Sequence, residues 1–318
     1  MGLSSSSKRC SVMGIIQDMA ARLRQAWRLP GRSRAKGAGI GLALSGGGAR
    51  GLAHIGVLKV LEETRFPISA LSGTSMGGIV AGLYASGRSA DALAEFAHTV
   101  RLLDIVQREE SGLGLIGQKK LTAKLYDMLG GDLTFADLRL PLALVAADMD
   151  TGEEIVIRDG PVIPAMLATS AFPGVFPPVA WRERRLVDGG LLNQVPVDVL
   201  PGMGMGRIVA VNTRGSAPEM LTAPSIVPAG RPETIVRLLF RSGRWAPLLH
   251  ITDRSLTIMS DKLVEYRLEK TPPDLMVEVW MDGIGLFELD RVADCIRAGE
   301  LAALEHLSEL IAMRDVAQ

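Results

Sequence analysis

Residues 40–84 read IGLALSGGGARGLAHIGVLKVLEETRFPISALSGTSMGGIVAGLY, and this stretch decides the fold. Ile40-Gly41-Leu42-Ala43-Leu44 is a short apolar run, the pattern of a strand buried on both faces. Ser45-Gly46-Gly47-Gly48-Ala49-Arg50-Gly51 follows as a loop. Leu52, Ile55, Val57, Leu58 and Leu61 then predict a helix over about residues 52–63. Pro67 ends that segment. Residues 68–72 read as a second strand, Gly73-Thr74-Ser75-Met76-Gly77 as a sharp turn, and the small and apolar residues through Tyr84 as a second helix. Strand, glycine loop, helix, strand, turn, helix is the opening of an α/β domain on a mainly parallel sheet, because parallel neighbours need helical crossovers.

The glycine loop has two readings. Gly46, Gly48 and Gly51 satisfy G-x-G-x-x-G between a strand and a helix, where a dinucleotide fingerprint sits. That fingerprint needs an acid at the end of the second strand to hold ribose hydroxyls. Here the second strand ends in Leu71-Ser72-Gly73, and the nearest acids, Glu62 and Glu63, still belong to the helix. The dinucleotide reading fails at that requirement. What remains is physical: consecutive glycines let backbone N–H groups converge, and the helix that follows adds its positive end. Such a point holds an anion, either a phosphate or an oxyanion formed during reaction. Arg50 strengthens the reading, since a cation in a first helical turn opposes the macrodipole and its placement implies a task nearby. A tight turn with no ligand is the plainer alternative.

Gly73-x-Ser75-x-Gly77 on a strand-to-helix turn matches a nucleophile elbow, which thrusts the Ser75 hydroxyl out at a helix N-terminus. Alone the motif is weak; one βα unit after a glycine loop it is much stronger. Both loops then lie at the carboxyl ends of adjacent parallel strands, where open α/β sheets place their sites. A hydroxyl needs a base. Of the four histidines, His54 follows the glycine loop by about one turn and reads as core, while His98 and His306 read as surface or boundary residues. His250 alone has the late position of a triad histidine, but Leu248-Leu249-His250-Ile251 carries no loop signal. Val187-Asp188-Gly189-Gly190 is the better source: a carboxylate at a strand end, followed by glycines that allow another loop to approach. Burial beside an apolar pocket would raise its pKa and make it a better base. Asp188 as a simple turn residue is the alternative.

The rest of the chain adds helices near residues 90–100 and 119–129, strands at 142–147, 154–157 and 207–212, and a short strand at 185–187 leading into Asp188. Pro218, Pro224, Pro228 and Pro232 mark residues 215–232 as a surface loop, with a lid as the second reading. Residues 290–313 read as one helix, weakened by Gly299 on its apolar face. Basic and acidic residues balance at 35 each, which disfavours nucleic acid as a partner. Two cysteines, Cys10 and Cys295, give neither metal spacing nor a disulfide framework, so a metal is not expected and a cytoplasmic location is. No apolar run long enough to span a membrane appears. Residues 1–38 form a separate N-terminal extension in which eight Lys and Arg face the single acid Asp18. Val12, Ile15, Ile16, Met19, Leu23, Ala26 and Trp27 recur at helical spacing there. A basic amphipathic helix over residues 12–29 suits peripheral contact with an anionic membrane; the plainer reading is a leader helix packed on the main domain, or a partly disordered tail.

Taken in order, Gly46-Gly47-Gly48-Ala49-Arg50-Gly51, Gly73-Thr74-Ser75-Met76-Gly77 and Asp188-Gly189-Gly190 resemble the three signatures of patatin-like phospholipases. Residues 168–178, ATSAFPGVFPP, with Asn193-Gln194-Val195-Pro196-Val197 and the tail at 254–311, resemble the bacterial branch related to the neuropathy target esterase catalytic domain. The resemblance covers about residues 38–312 and implies one patatin-like domain over residues 39–313. It implies hydrolysis of fatty-acyl esters in phospholipids, lysophospholipids or neutral lipids by a Ser–Asp dyad, with no cofactor. Ser75 would be the nucleophile and Asp188 the base. The oxyanion hole would be built at Gly46, Gly47 and Gly48, chiefly by the N–H groups of Gly47 and Gly48, with that of Met76 and with Arg50 at the family's basic position. Gly51, Gly73, Gly77, Gly189 and Gly190 are the motif glycines. Phe172, Val175, Phe176 and Pro177-Pro178 are candidates for the acyl-pocket rim, or a rigid packing segment. An acyltransferase differs only in the acceptor of the acyl group, and a non-catalytic membrane-associated regulator would keep the fold without turnover.

Overall fold

The five residues of β1 (Ile40–Leu44) are all buried, which is why they carry no polar alternation. In the computed structural model, which describes residues 39–100, 113–114, 116–215 and 246–317, β1 lies inside a sheet of eight described strands. The others are β2 (Ile68–Thr74), β3 (Leu142–Asp148), β4 (Glu154–Ile157), β5 (Val179–Trp181), β6 (Arg184–Asp188), β7 (Arg207–Arg214) and β8 (Leu275–Trp280). Neighbours run β5-β6-β3-β2-β1-β7-β8, with β4 also paired to β3. The five strands from β8 to β3 are mutually parallel, and β4, β5 and β6 join antiparallel. The helices are α1 (Ala53–Glu63), α2 (Ser75–Ala85), α3 (Ala90–Thr99), α4 (Lys119–Leu129), α5 (Val162–Thr169), α6 (Ala246–Lys270), α7 (Val292–Glu305) and α8 (Leu307–Ala317). This is the expected α/β, mainly parallel sheet flanked by helices.

Alternation along the strands sorts side chains onto two faces. Leu42, Leu44, Leu71, Leu144, Val209 and Val211 join the main core with residues of α1, α2, α3, α5 and α7. Ala43, Ala70, Ile208 and Ala210 face a second cluster closed by Val195, Val197, Leu200 and Val264 of α6. The small alanines on that face admit a tight cover built largely from irregular chain.

One detail of pairing positions the site. Val145 of β3 pairs with Thr74 of β2 on one edge and with Val156 of β4 on the other. The next residue, Ala146, pairs with Ile155 of β4 and with Asp188 of β6. A strand has only two edges, so β6 occupies the edge that β2 has just left. Asp188 therefore enters where β2 would have continued, and Ser75 is the residue that turns away.

Several elements differ from the sequence reading. Residues 290–313 are two helices broken at His306, not one. The break swings Leu307 and Leu310 into the core, where both are buried, and Arg314 Nη1 donates to the Thr64 carbonyl at 2.9 Å. Gly299 does not weaken α7. A β-carbon there would stand 1.9 Å from the Ala53 carbonyl oxygen, and one at Gly56 would stand 1.9 Å from that of Ile296. Paired glycines let α1 and α7 cross at backbone contact, and that packing outweighs the roughly 1 kcal/mol helix cost of glycine. The helix predicted over 52–63 opens with a 3-10 turn at Gly48–Leu52 before α1 begins. α5, α6, β5 and β8 are further elements that no pattern in the sequence marks. The N-terminal extension, and the proline-rich loop from residue 216 onward, lie outside the described residues.

Candidate active site

Ser75 has φ of 54°, one of three described non-glycine residues with positive φ. Such a backbone costs on the order of 1–3 kcal/mol and persists only where the surroundings enforce it. They do. Thr74 Oγ1 donates to the Asn193 carbonyl at 2.8 Å, and Ser75 N–H donates to Thr169 Oγ1 at 3.0 Å. Thr169 in turn donates to the Val145 carbonyl of β3. Gly77 must lack a side chain, because a β-carbon would lie 2.2 Å from the Ser45 carbonyl oxygen. The turn is thereby pressed against the end of β1.

Ser75 Oγ donates to Asp188 Oδ2 at 2.7 Å, and Gly190 N–H donates to Asp188 Oδ1 at 2.8 Å. The carboxyl is 4% exposed. Burial raises its pKa to about 6, although the bonds from Ser75 and Gly190 pull the other way. Near neutral pH it is therefore ionised and still a stronger base than a solvated aspartate.

The glycine loop crosses the next strand end. Gly47 and Gly48 have φ of 146° and 56°, conformations that favour glycine. The loop is tied at several points. Gly46 N–H donates to the Gln194 carbonyl at 3.1 Å, Thr213 Oγ1 donates to the Gly46 carbonyl at 2.8 Å, and Ala49 N–H donates to the Leu286 carbonyl at 2.7 Å. Gly46 thus spends its N–H on anchoring. Gly47, Gly48 and Met76 line one cavity with Ser75 and Asp188. Arg50 is buried and donates to the Gly215 carbonyl, which ties the loop to the end of β7. His54, read as core, is fully buried, with Nε2 2.7 Å from the Ser45 carbonyl oxygen. Burial outweighs that bond and lowers its pKa to about 4, so the ring is neutral and Nε2–H is the donor.

His98 and His306 do not line the cavity that holds Ser75. His98 is exposed on α3, His306 is half-buried, and His250 belongs to α6. Cys295 is buried, and that burial pushes its thiol up to about 11. Among the described residues no three His, Cys, Asp or Glu side chains gather as a metal site, and no helix is long and apolar enough to cross a membrane.

The cavity has a volume of about 450 Å³. From Ser75 it runs between α1, α2, α3 and α4 past Ile79, Leu83, Leu93, Phe96 and Leu125. Phe172 and Phe176 line it, with Phe172 packed edge-on against Phe287 at 6.2 Å between centroids. Val175 is buried, and Pro177 and Pro178 are half-buried outside the lining. Thr169, Thr213, Gln194 and His54 hold the loops in place, and sequence reasoning gave them no such role. Their partners lie 9 to 168 residues away, so only the weak signal of a small polar residue at a strand or helix end marked Thr169 and Thr213.

The patatin-like phospholipase model matches residues 42–201, about half of the 318, and the chain belongs to that family. An uncharacterized NTE family protein of Mycobacterium tuberculosis is 34% identical over 183 residues, 56% of this chain and 49% of that protein. A second one from the same organism is 31% identical over 284 residues, 85% of this chain and 46% of that protein. The neuropathy target esterase of Drosophila melanogaster is 28% identical over 187 residues, 55% of this chain and 13% of its own length. The chain spans about half the length of the mycobacterial relatives. The crystal structure of VipD from Legionella pneumophila shares the fold, with a TM-score of 0.56 at 14% identity over 89% of this chain and 68% of that one.

Proposed function

We propose that the protein is a serine lipid-acyl hydrolase working through a Ser75–Asp188 dyad. The single observation that carries the reading is the 2.7 Å bond from Ser75 Oγ to a buried carboxylate at the mouth of an apolar cavity. The Ser75 proton passes to Asp188 Oδ2 as Oγ bonds to the ester carbon. The carbonyl oxygen takes up the negative charge and is held by the N–H groups of Gly47 and Gly48, joined by Met76 at the positive end of α2. The intermediate then collapses. The carbon–oxygen bond to the leaving alcohol breaks, and the proton on Asp188 goes to that oxygen. Water next loses a proton to Asp188 while attacking the acyl carbon. Expulsion of Ser75 Oγ, which takes the proton back, frees the fatty acid. Arg50 acts by fixing the loop through Gly215. The lipophilic wall beyond Ser75 supports a fatty-acyl ester as the substrate, phospholipid, lysophospholipid or neutral.

The test is release of fatty acid from phospholipid vesicles and of p-nitrophenol from its acyl esters. Ser75→Ala is expected to lower both by at least about a thousandfold. Undiminished turnover would end the assignment, and a wild type that binds vesicles without releasing acid would make the chain a regulator on the same fold.

A further inference from the structure

Gln194 touches both catalytic loops without belonging to the dyad. Its backbone carbonyl accepts from Gly46 N–H at 3.1 Å, and the carbonyl of its neighbour Asn193 accepts from Thr74 Oγ1 at 2.8 Å. Asn193 and Val195 are buried, so the main chain is fixed on either side of residue 194. The side chain is half-buried and lines the cavity together with Ser75, Asp188 and Gly190. Among the described residues its carboxamide makes no hydrogen bond. It lies against two glycines instead. A β-carbon built on Gly46 would stand 2.7 Å from Gln194 Oε1 and 2.8 Å from Nε2. One built on Gly190 would stand 2.3 Å from Gln194 Oε1 and 3.1 Å from Asp188 Oδ1, so those two oxygens are no more than about 5.4 Å apart.

We propose that Gln194 Oε1 and Asp188 Oδ1 together bind the water that cleaves the acyl-enzyme, and that this pair of acceptors selects water over an alcohol. The proposal rests on the hydrolase reading above. A water donating at about 2.8 Å in two directions bridges oxygens roughly 4.5 Å apart, inside the limit set at Gly190. Both of its protons are then engaged, and a lone pair is left to attack. The same carboxylate binds Ser75 Oγ through Oδ2, so a water on Oδ1 stands one carboxylate's width from the acyl group. Asp188 takes one proton as the water oxygen bonds to the acyl carbon and the carbonyl electrons move onto the oxyanion. The second O–H stays on that oxygen and keeps its bond to Gln194. When the carbonyl reforms, Ser75 Oγ leaves with the proton from Asp188, and the retained O–H becomes that of the fatty acid. An alcohol has a single O–H. With that proton on Asp188, Gln194 Oε1 is left without a donor, and the unmade bond slows transfer relative to hydrolysis. A place for this carboxamide in the oxyanion hole is disfavoured, because an oxyanion takes donors and the atom set beside Asp188 is an acceptor.

The test is the partition of one acyl-enzyme between two acceptors. With a p-nitrophenyl ester in buffer holding a fixed concentration of methanol, the ratio of methyl ester to free acid reads acceptor choice whichever step limits turnover. Gln194→Met and Gln194→Leu, both apolar and of similar size, are expected to raise that ratio about tenfold, the order for one lost hydrogen bond. Gln194→Glu keeps acceptor oxygens at the same reach and should leave the ratio near the wild-type value, because its effect on Asp188 is shared by both acceptors. A ratio unmoved by the apolar variants, or raised equally by Gln194→Glu, overturns the proposal while the hydrolase reading stands. Release of p-nitrophenol that survives Ser75→Ala removes the hydrolase reading and this proposal with it.

Discussion

Asp188→Asn is expected to cost activity while stabilising the fold, and only at the higher pH. The unfolded carboxyl titrates near its ordinary 3.8, whereas burial raises it to about 6 in the folded chain. The folded state therefore holds the proton more tightly. The stability this confers is fully present below about pH 4 and is lost as pH rises through about 6. A displacement of about two pH units corresponds to about 3 kcal/mol, the order of the cost of keeping this carboxylate ionised and buried at neutral pH. Asparagine fills the same space and can still accept from Gly190, but it has no charge to desolvate. Between pH 4 and pH 8 the stability difference, Asn minus Asp, should widen by about 2 kcal/mol, most of it before pH 6. Other titrating groups, such as His54 with its pKa lowered by burial, are common to both proteins and cancel in the difference. Urea midpoints of the two proteins at pH 4, 5, 6 and 8 read this directly, provided m is unchanged. In parallel, wild-type kcat/KM on a neutral ester should fall tenfold per pH unit below about 6. A stability difference that stays flat with pH would refute the claim that Asp188 is the buried, raised carboxyl.

Two further substitutions probe packing. Gly299→Ala, which helix propensity alone favours by about 1 kcal/mol, should instead destabilise the chain by about 1–3 kcal/mol because its β-carbon meets the Ala53 carbonyl; a higher melting temperature would refute the close crossing. Leu125→Trp, placed in the apolar end of the cavity, should lower activity on C16 p-nitrophenyl esters severalfold more than on C4 esters; an unchanged chain-length profile would place the acyl chain elsewhere.

The sequence announces the site more clearly than the fold that assembles it. Gly46–Gly48, Ser75 and Asp188 are legible because a tight loop, an elbow and a strand-end acid each impose local composition. The meeting of Ser75 and Asp188 is not local. It depends on β6 taking over an edge of β3, and no residue of β6 marks its neighbour. α6 escaped notice because its apolar residues do not form a stripe: Ile251, Ile258, Met259 and Tyr266 are exposed while Val264 is buried. α5 was hidden by Pro161 and Pro164, yet a proline in the first helical turn removes an N–H that has no partner there. The final helix looked continuous because nothing in the vicinity of His306 is a breaker; tertiary burial of Leu307 and Leu310 bends it. Gly46 N–H donates to the Gln194 carbonyl and Arg50 Nη1 to the Gly215 carbonyl, anchoring bonds that no local pattern foretells.

The handover of one edge of β3 from β2 to β6 makes that strand a ruler. Hydroxyl and carboxylate lie 113 residues apart in the chain, yet their spacing is fixed by the single step from Val145 to Ala146, about 3.3 Å. Loops and helices threaded between them can lengthen, shrink or be exchanged without detuning the pair, so long as that step keeps its pairing. A slip of β3 by one residue would instead turn the carboxylate to the opposite face, which makes the hydroxyl–carboxylate bond a sensitive gauge of sheet alignment.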